Sequence, residues 1–250
     1  MPENVSRPNG SLKLATWNIH YGIGSDRRLD MSRIISVLGE IDADVIGLQE
    51  VGWHRRSHKR VDQFAYLREH TAYDVVEGLV RDPLRAQFGN ALLTRIPVRE
   101  TRWIDLKVAG HVPRAALAVE LETTAAPLRV VVVHLGLSPW ERERQVRRLI
   151  EAILPDEGTP PPTALLGDFN MLRPKTRASQ VLARHFLTCV RTPTFPARKP
   201  ILSLGRIYLS ADWELAETQV LRGGLATQAS DHLPLVAHVH YTRGVGVGRL

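Results

Sequence analysis

Short apolar runs that stop at a polar residue recur along this chain, and they limit what it can fold into. Val130-Val131-Val132-Val133 stops at His134, and Ala164-Leu165-Leu166 leads through Gly167 to Asp168. Runs this short and apolar read as strands buried on both faces, so the residue ending each one lies where the strand leaves the core. The same arrangement occurs at Thr16-Trp17-Asn18-Ile19-His20, Leu48-Gln49-Glu50-Val51, Gly89-Asn90-Ala91-Leu92 and Ser230-Asp231-His232-Leu233-Pro234-Leu235. Gathered at one sheet edge, the carboxylates of Glu50 and Asp168 would stand beside Asn18, Asn170, His134 and the Asp231-His232 pair. That set of groups suits a hard divalent cation and a phosphate ester.

A length of 250 residues, 44% of them apolar, fits one large domain with a continuous core from about Leu12 to His240. No internal repeat or long linker divides it. The first ten residues lack an apolar signal region, and no stretch reaches the ~18–20 apolar residues that cross a bilayer. Cys189 is the only cysteine, which excludes an intramolecular disulfide or a thiolate metal cage and fits a cytoplasmic setting. The net charge of +7 favours a polyanionic partner: nucleic acid, an anionic lipid surface or a small phosphorylated substrate. The run Arg142, Arg144, Arg147, Arg148 reads as a solvated helix face.

Leu12–Thr16 reads as a strand, followed by a helix capped by Asp30 with Met31, Ile34, Ile35 and Leu38 inward. Asp44–Gln49 is the next strand, and Val61–His70 a second helix. From Tyr73 to Leu121 the pattern is strand-rich, with hairpin turns expected at Asp82-Pro83, Ile96-Pro97 and Gly110 and antiparallel pairing dominant. Ser138-Pro139-Trp140-Glu141 has the parts of a capping box and predicts a helix to about Leu154, with Val146, Leu149, Ile150 and Ile153 inward and the arginines outward. A helix near Ala178–His185 and strands around Arg206–Leu209 and Leu235–His240 complete the reading, which implies two packed sheets flanked by helices.

Thr16-Trp17-Asn18, Gln49-Glu50-Val51, His134, Gly167-Asp168-Phe169-Asn170 and Ser230-Asp231-His232, in this order, resemble the endonuclease/exonuclease/phosphatase (DNase I-like) superfamily, and most of all its compact bacterial hydrolases. The resemblance implies an α/β fold: a four-layer α/β/β/α sandwich of two mainly antiparallel, mixed sheets. It also implies hydrolysis of a phosphate ester with Mg2+, or Mn2+ in its place. Carried over residue by residue, Glu50 would be the principal metal ligand, with Asn18 and Asp231 beside it. Asp168 would orient and deprotonate the attacking water, and Asn170 would bond the nucleophile or a phosphate oxygen. His134 would donate to a non-bridging oxygen, and His232 would contact the scissile phosphate opposite the water. His20, Asn90 and Arg114 are expected on the substrate side. The basic segment Trp53–Arg60 and the residues Arg173, Lys175 and Arg177 would form an electrostatic rim.

One position departs from the pattern. Relatives place an aspartate on a late strand to orient the final histidine, and here that position is Gly205. Asp212 is seven residues on, ~23 Å if extended, beyond hydrogen-bond reach without a sharp fold-back. The expected partner is a phosphorylated small molecule or lipid headgroup ahead of nucleic acid, since 250 residues leave little room for loops that grip a duplex. The competing expectation is a catalytically impaired member that binds nucleic acid or anionic lipid.

Overall fold

The computed structural model describes residues 10–54, 61–82, 86–123, 126–154 and 158–242. Six strands form the first sheet, in the spatial order β11 (Trp213–Val220), β12 (Leu235–Tyr241), β1 (Ser11–Asn18), β2 (Val45–His54), β4 (Ala86–Thr94) and β3 (Asp74–Asp82). The second sheet runs β5 (Val98–Asp105), β6 (Ala115–Leu121), β7 (Leu128–His134), β8 (Thr163–Asp168), β10 (Gly205–Leu209) and β9 (Thr188–Val190). Each sheet is antiparallel except at one central pair: β1 with β2 in the first, β7 with β8 in the second.

The apolar runs follow from where their faces point. Val130 and Val132 meet Leu14, Val45 and Leu166 between the two sheets, whereas Val131, Val133 and Leu165 point the other way, onto a helical layer. That layer consists of α3 (Pro139–Ile153) and α4 (Arg177–Leu182). On the far side, Ala15, Trp17, Ile46 and Leu48 pack against α1 (Met31–Ile41) and α2 (Gln63–His70), with the short α5 (Ala226–Ala229) alongside. A strand covered on both faces has no polar position until it leaves the sandwich. Gly47 belongs to this economy of space, because a Cβ there would press within 3.1–3.2 Å of Val132 and Leu166 of the facing sheet. The four layers are those expected.

The helix signals hold in detail. Asp30 accepts from Ser32 N and Arg33 N, and Ser138 with Glu141 forms the capping box of α3, whose Val146, Leu149, Ile150 and Ile153 are buried. Among the described residues no helix is long and apolar enough to cross a membrane.

Several expectations need correcting. Ile96-Pro97 makes no hairpin, since it joins β4 to β5 across the two sheets. Val61 and Asp62 precede α2, with Asp62 as its cap. The predicted helix at 178–185 is the shorter α4. Strand β11 went unread because its outer face is mostly polar and exposed. Arg142 does not face solvent: it is 4% exposed and donates to Gly136 O (3.1 Å) and Leu137 O (2.6 Å), carbonyls left free where β7 turns into α3. Residues 55–60 of the basic segment lie outside the described residues, as do the side chains of Trp53 and His54.

Candidate active site

The two parallel pairs end at the same edge of the sandwich, one in each sheet. Asn18 closes β1 beside Gln49 of β2, and His134 closes β7 in register with Asp168, the last residue of β8. Parallel neighbours reach their carboxyl ends together, so four polar residues distant in sequence arrive side by side. The segment preceding β12 arrives there as well, because Leu235 pairs with Thr16. Ser230 Oγ donates to Asn18 O (2.7 Å) and accepts from His232 N (3.2 Å), and Trp17 Nε1 donates to His232 O (2.9 Å).

Glu50 reaches the edge by a local irregularity. Leu48 pairs with Ala91 and Val51 with Gly89, so two residues of β2 face the single Asn90 of β4. Such a bulge bends the strand and re-aims a side chain. Its cost appears in the backbone, where Glu50 has φ 56°. His20 (47°), Tyr21 (55°) and Asn170 (52°) share this left-handed conformation, so four of the six such non-glycine residues described lie at this edge. Left-handed non-glycine residues cost about 1–3 kcal/mol each and persist where the surroundings enforce them.

The side chains converge on one amide. Asn18 Nδ2 lies 3.0 Å from Glu50 Oε1 and 3.0 Å from Asp168 Oδ2, while Asn18 Oδ1 accepts from His20 N at 2.9 Å. His134 Nε2 stands 3.9 Å from Glu50 Oε1 and 3.8 Å from Asp168 Oδ2. His232 Nε2 is 3.7 Å from the same Asp168 oxygen and 3.9 Å from Asp231 Oδ1. His20 Nδ1 approaches Asp231 Oδ1 at 3.7 Å, which puts the half-exposed His20 and Asp231 at the outer side of the cluster. Asp168 Oδ1 accepts from Asn170 N (3.0 Å), and Asn170 Nδ2 donates to Leu135 O (2.9 Å), tying the loops after β7 and β8 together.

Asn90 and Arg114 lie behind this cluster. Asn90 is buried and donates across the sheet interface to Ala115 O (3.0 Å) and Val132 O (3.3 Å). Arg114 places NH1 3.1 Å from His134 Nδ1 and its guanidinium over the Phe88 ring. Arg173, Lys175 and Arg177 follow Asn170 in the sequence and are exposed, and Arg177 NH1 lies 3.8 Å from Glu143 Oε2 of α3. Sequence reasoning missed Tyr21, which packs beside Arg114 and whose phenol is pushed above its usual range by burial and by the Glu50 charge. It also missed the latch formed by Ser230 and the Phe195 ring, which lies 4.7 Å from that of His232. The one available signal was Ser230 standing directly before Asp231-His232.

The electrostatics differ between the two carboxylates. Burial pushes the Glu50 carboxyl up, against the hydrogen bond from Asn18. Burial acts on Asp168 in the same sense, but His232, His134 and the hydrogen bonds from Asn18 and Asn170 outweigh it and hold Asp168 below the usual carboxylate range. His134 is pushed down to about 3, chiefly by burial and next by the Arg114 charge, and is neutral at pH 7. Among the described residues no lysine or arginine forms an ion pair with Glu50 or Asp168. No three His, Cys, Asp or Glu side chains there form a complete metal cage. Mg2+ asks for less: one or two carboxylates, with water and substrate oxygens filling the remaining positions. A mostly buried carboxylate with no lysine or arginine ion pair among the described residues meets that requirement.

Asp212 is not part of the site. Its carboxylate accepts from Ser210 Oγ (2.9 Å), next to Thr163 at the opposite end of β8. Gly205 lies in register with Asp168, and a Cβ added to it would meet only Thr194, at 3.3 Å from Oγ1.

The sequence pattern of the "Endonuclease/Exonuclease/phosphatase family" matches residues 15–232. Among solved structures, a functionally unknown conserved protein from Enterococcus faecalis is similar with a TM-score of 0.78 and 21% identity, over 92% of this chain and 100% of that one. An endonuclease/exonuclease/phosphatase from Beutenbergia cavernae gives 0.73 and 20%, over 93% and 72%. The human Nocturnin catalytic domain, solved with a bound sulfate anion, gives 0.73 and 19%, over 93% and 94%. No curated protein matches the chain.

Proposed function

The chain belongs to the Endonuclease/Exonuclease/phosphatase family, and on that basis we propose that it hydrolyses phosphate esters with a divalent cation, Mg2+ or Mn2+, held at Glu50. One observation carries the reading: the buried Asp168 carboxylate and the mostly buried Glu50 carboxylate, each 3.0 Å from the same amide nitrogen, with histidines around them and no ion-paired lysine or arginine among the described residues. Leaving buried negative charge without a cation is costly, and a divalent ion offsets it. When bound, the ion polarises a phosphate oxygen and neutralises charge that builds during attack.

The remaining work falls to side chains. Asp168, ionised at neutral pH, orients the water and accepts its proton. His134, neutral, donates to a non-bridging oxygen, and His232 contacts the phosphate from the side of Asp231. Asn18 keeps the two carboxylates at fixed separation, while Asn170 holds the Asp168 loop against Leu135. His20 and Asp231 stand where the substrate enters. A protein of similar fold is a mannosyl-6-phosphatase, and another, D. rerio TDP2, was solved with a single-strand DNA product. A phosphorylated small molecule or lipid headgroup is the preferred substrate class for this chain.

The test is a panel of phosphomonoesters, phosphodiesters, phospholipids and oligonucleotides assayed with Mg2+ and with Mn2+. Turnover of at least one member, abolished by EDTA and restored by the metal, is expected. Turnover indifferent to EDTA, or none with either metal, would overturn the proposal.

Gly205 favours a second reading, an impaired enzyme that retains binding. A Cβ at this position meets only Thr194, at 3.3 Å, and Gly205→Asp is expected to raise kcat on a generic phosphodiester by about 10–100-fold, the scale on which supporting residues act at metal sites. An unchanged or lower kcat would show that His232 does not lack an orienting carboxylate.

A further inference from the structure

We propose that Arg114 is a positioning residue that fixes the tautomer of His134, so that Nε2 carries the ring proton and presents it to the cleft. The argument begins with donor and acceptor identity. A guanidinium has five N–H donors and no acceptor. Its NH1 lies 3.1 Å from His134 Nδ1, and only an unprotonated Nδ1 can receive that hydrogen bond. In the neutral ring the proton therefore sits on Nε2, the nitrogen that faces Glu50 and Asp168 at 3.9 and 3.8 Å. A donor at this place is what a phosphate oxygen between those carboxylates requires. With the other tautomer, Nε2 would offer a lone pair to an already anionic cleft.

Arg114 is itself braced. Its guanidinium carbon stands 5.8 Å from the Phe88 ring centroid, over an apolar patch of Val80, Phe88 and Ala115. Arg114 Nε and Asn90 Oδ1 are buried and find no protein partner among the described residues. Both residues line a cavity of about 10 Å3 that also touches His134. A space of that size holds one water, and a water there would accept from Arg114 Nε and donate to Asn90 Oδ1. Asn90 cannot turn its amide to do the work directly, because its NH2 is held by Ala115 O and Val132 O. Such a water would link the sheet interface, through Asn90 and Arg114, to the histidine. The effect on turnover rests on the function proposed above, whereas the tautomer does not.

The experiment is a long-range 1H–15N correlation spectrum of the metal-free full chain labelled at histidine, with His134 identified by its loss in His134→Gln. Wild type is expected to show a protonated Nε2 and a bare Nδ1. Arg114→Met is expected to give a mixture or reversal of tautomers and to lower kcat by about 10–100-fold with KM changed less than about threefold; Arg114→Lys keeps the tautomer. A wild-type His134 protonated at Nδ1 overturns the proposal, as does Arg114→Met with an unchanged tautomer. A large rise in KM at constant kcat also overturns it, by making Arg114 a phosphate ligand. The wild-type spectrum decides the first point even if the variant fails to fold. If wild type turns over no substrate, the proposed function fails while the tautomer is still read.

Discussion

Asp168→Asn is expected to lower kcat by about 10²–10⁴-fold, the range associated with removal of a positioned general base, while leaving the affinity for Mg2+ largely intact. The amide keeps the shape, although its single oxygen can accept from only one of Asn170 N and Asn18 Nδ2, which reach the two oxygens of the native carboxylate at 3.0 Å each. What it loses is the ability to take a proton. The neighbouring histidines and hydrogen bonds hold Asp168 below the usual carboxylate range, so it is ionised at neutral pH. Isothermal titration with Mg2+ beside steady-state kinetics separates the two effects. A variant with wild-type kcat would remove Asp168 from the chemistry.

Glu50→Gln should abolish metal binding and activity together, yet raise the thermal stability of the metal-free protein at pH 7. Burial pushes the Glu50 carboxyl up, which means that the folded state binds a proton there more tightly than the unfolded chain does. At a pH above both values the folded protein carries a charge it would rather not hold. Stability from this group therefore increases as pH falls through its folded-state value, the reverse of the sign at Asp168. Gln removes the charge and still accepts from Asn18. A gain of about 1 kcal/mol, or about 2–4 °C in Tm for a chain of this size, is the expected scale. In wild type, Mg2+ competes with the proton, so the acidic limb of the pH–rate profile should move to lower pH as Mg2+ is increased, by up to about one unit per tenfold. A limb that ignores Mg2+, or a Tm lowered by the substitution, would assign Glu50 a different role.

Much of the candidate site was legible because strand ends are marked in composition. Asn18, His134 and Asp168 each end an apolar run, and in the structure each ends its strand. Glu50 does not. It lies inside β2, brought to the edge by a bulge at Gln49-Glu50, and only its place in the motif pointed to it. Nothing local in the sequence shows that Arg114 packs on Phe88 and places NH1 3.1 Å from His134 Nδ1. Arg142 fell on the polar side of a helical pattern, yet it is buried where a turn leaves two carbonyls free. Periodicity reports the average environment of a helix face, and a position at the helix start can escape it.

Sequence alone determined the layers and the candidates: which strands are covered on both faces, where α1 and α3 begin, and which polar residues stand where the chain leaves the core. These are local properties, set by side-chain type at a period of two or 3.6 residues. The tertiary structure decided which of those ends meet, how Asn18 divides its amide between two carboxylates, and which nitrogen of His134 faces Arg114. Such features depend on strand order, register and a few ångströms of separation between residues 20 to 150 positions apart. No short window of sequence holds that information, because contact between distant segments is fixed only when the two sheets pack.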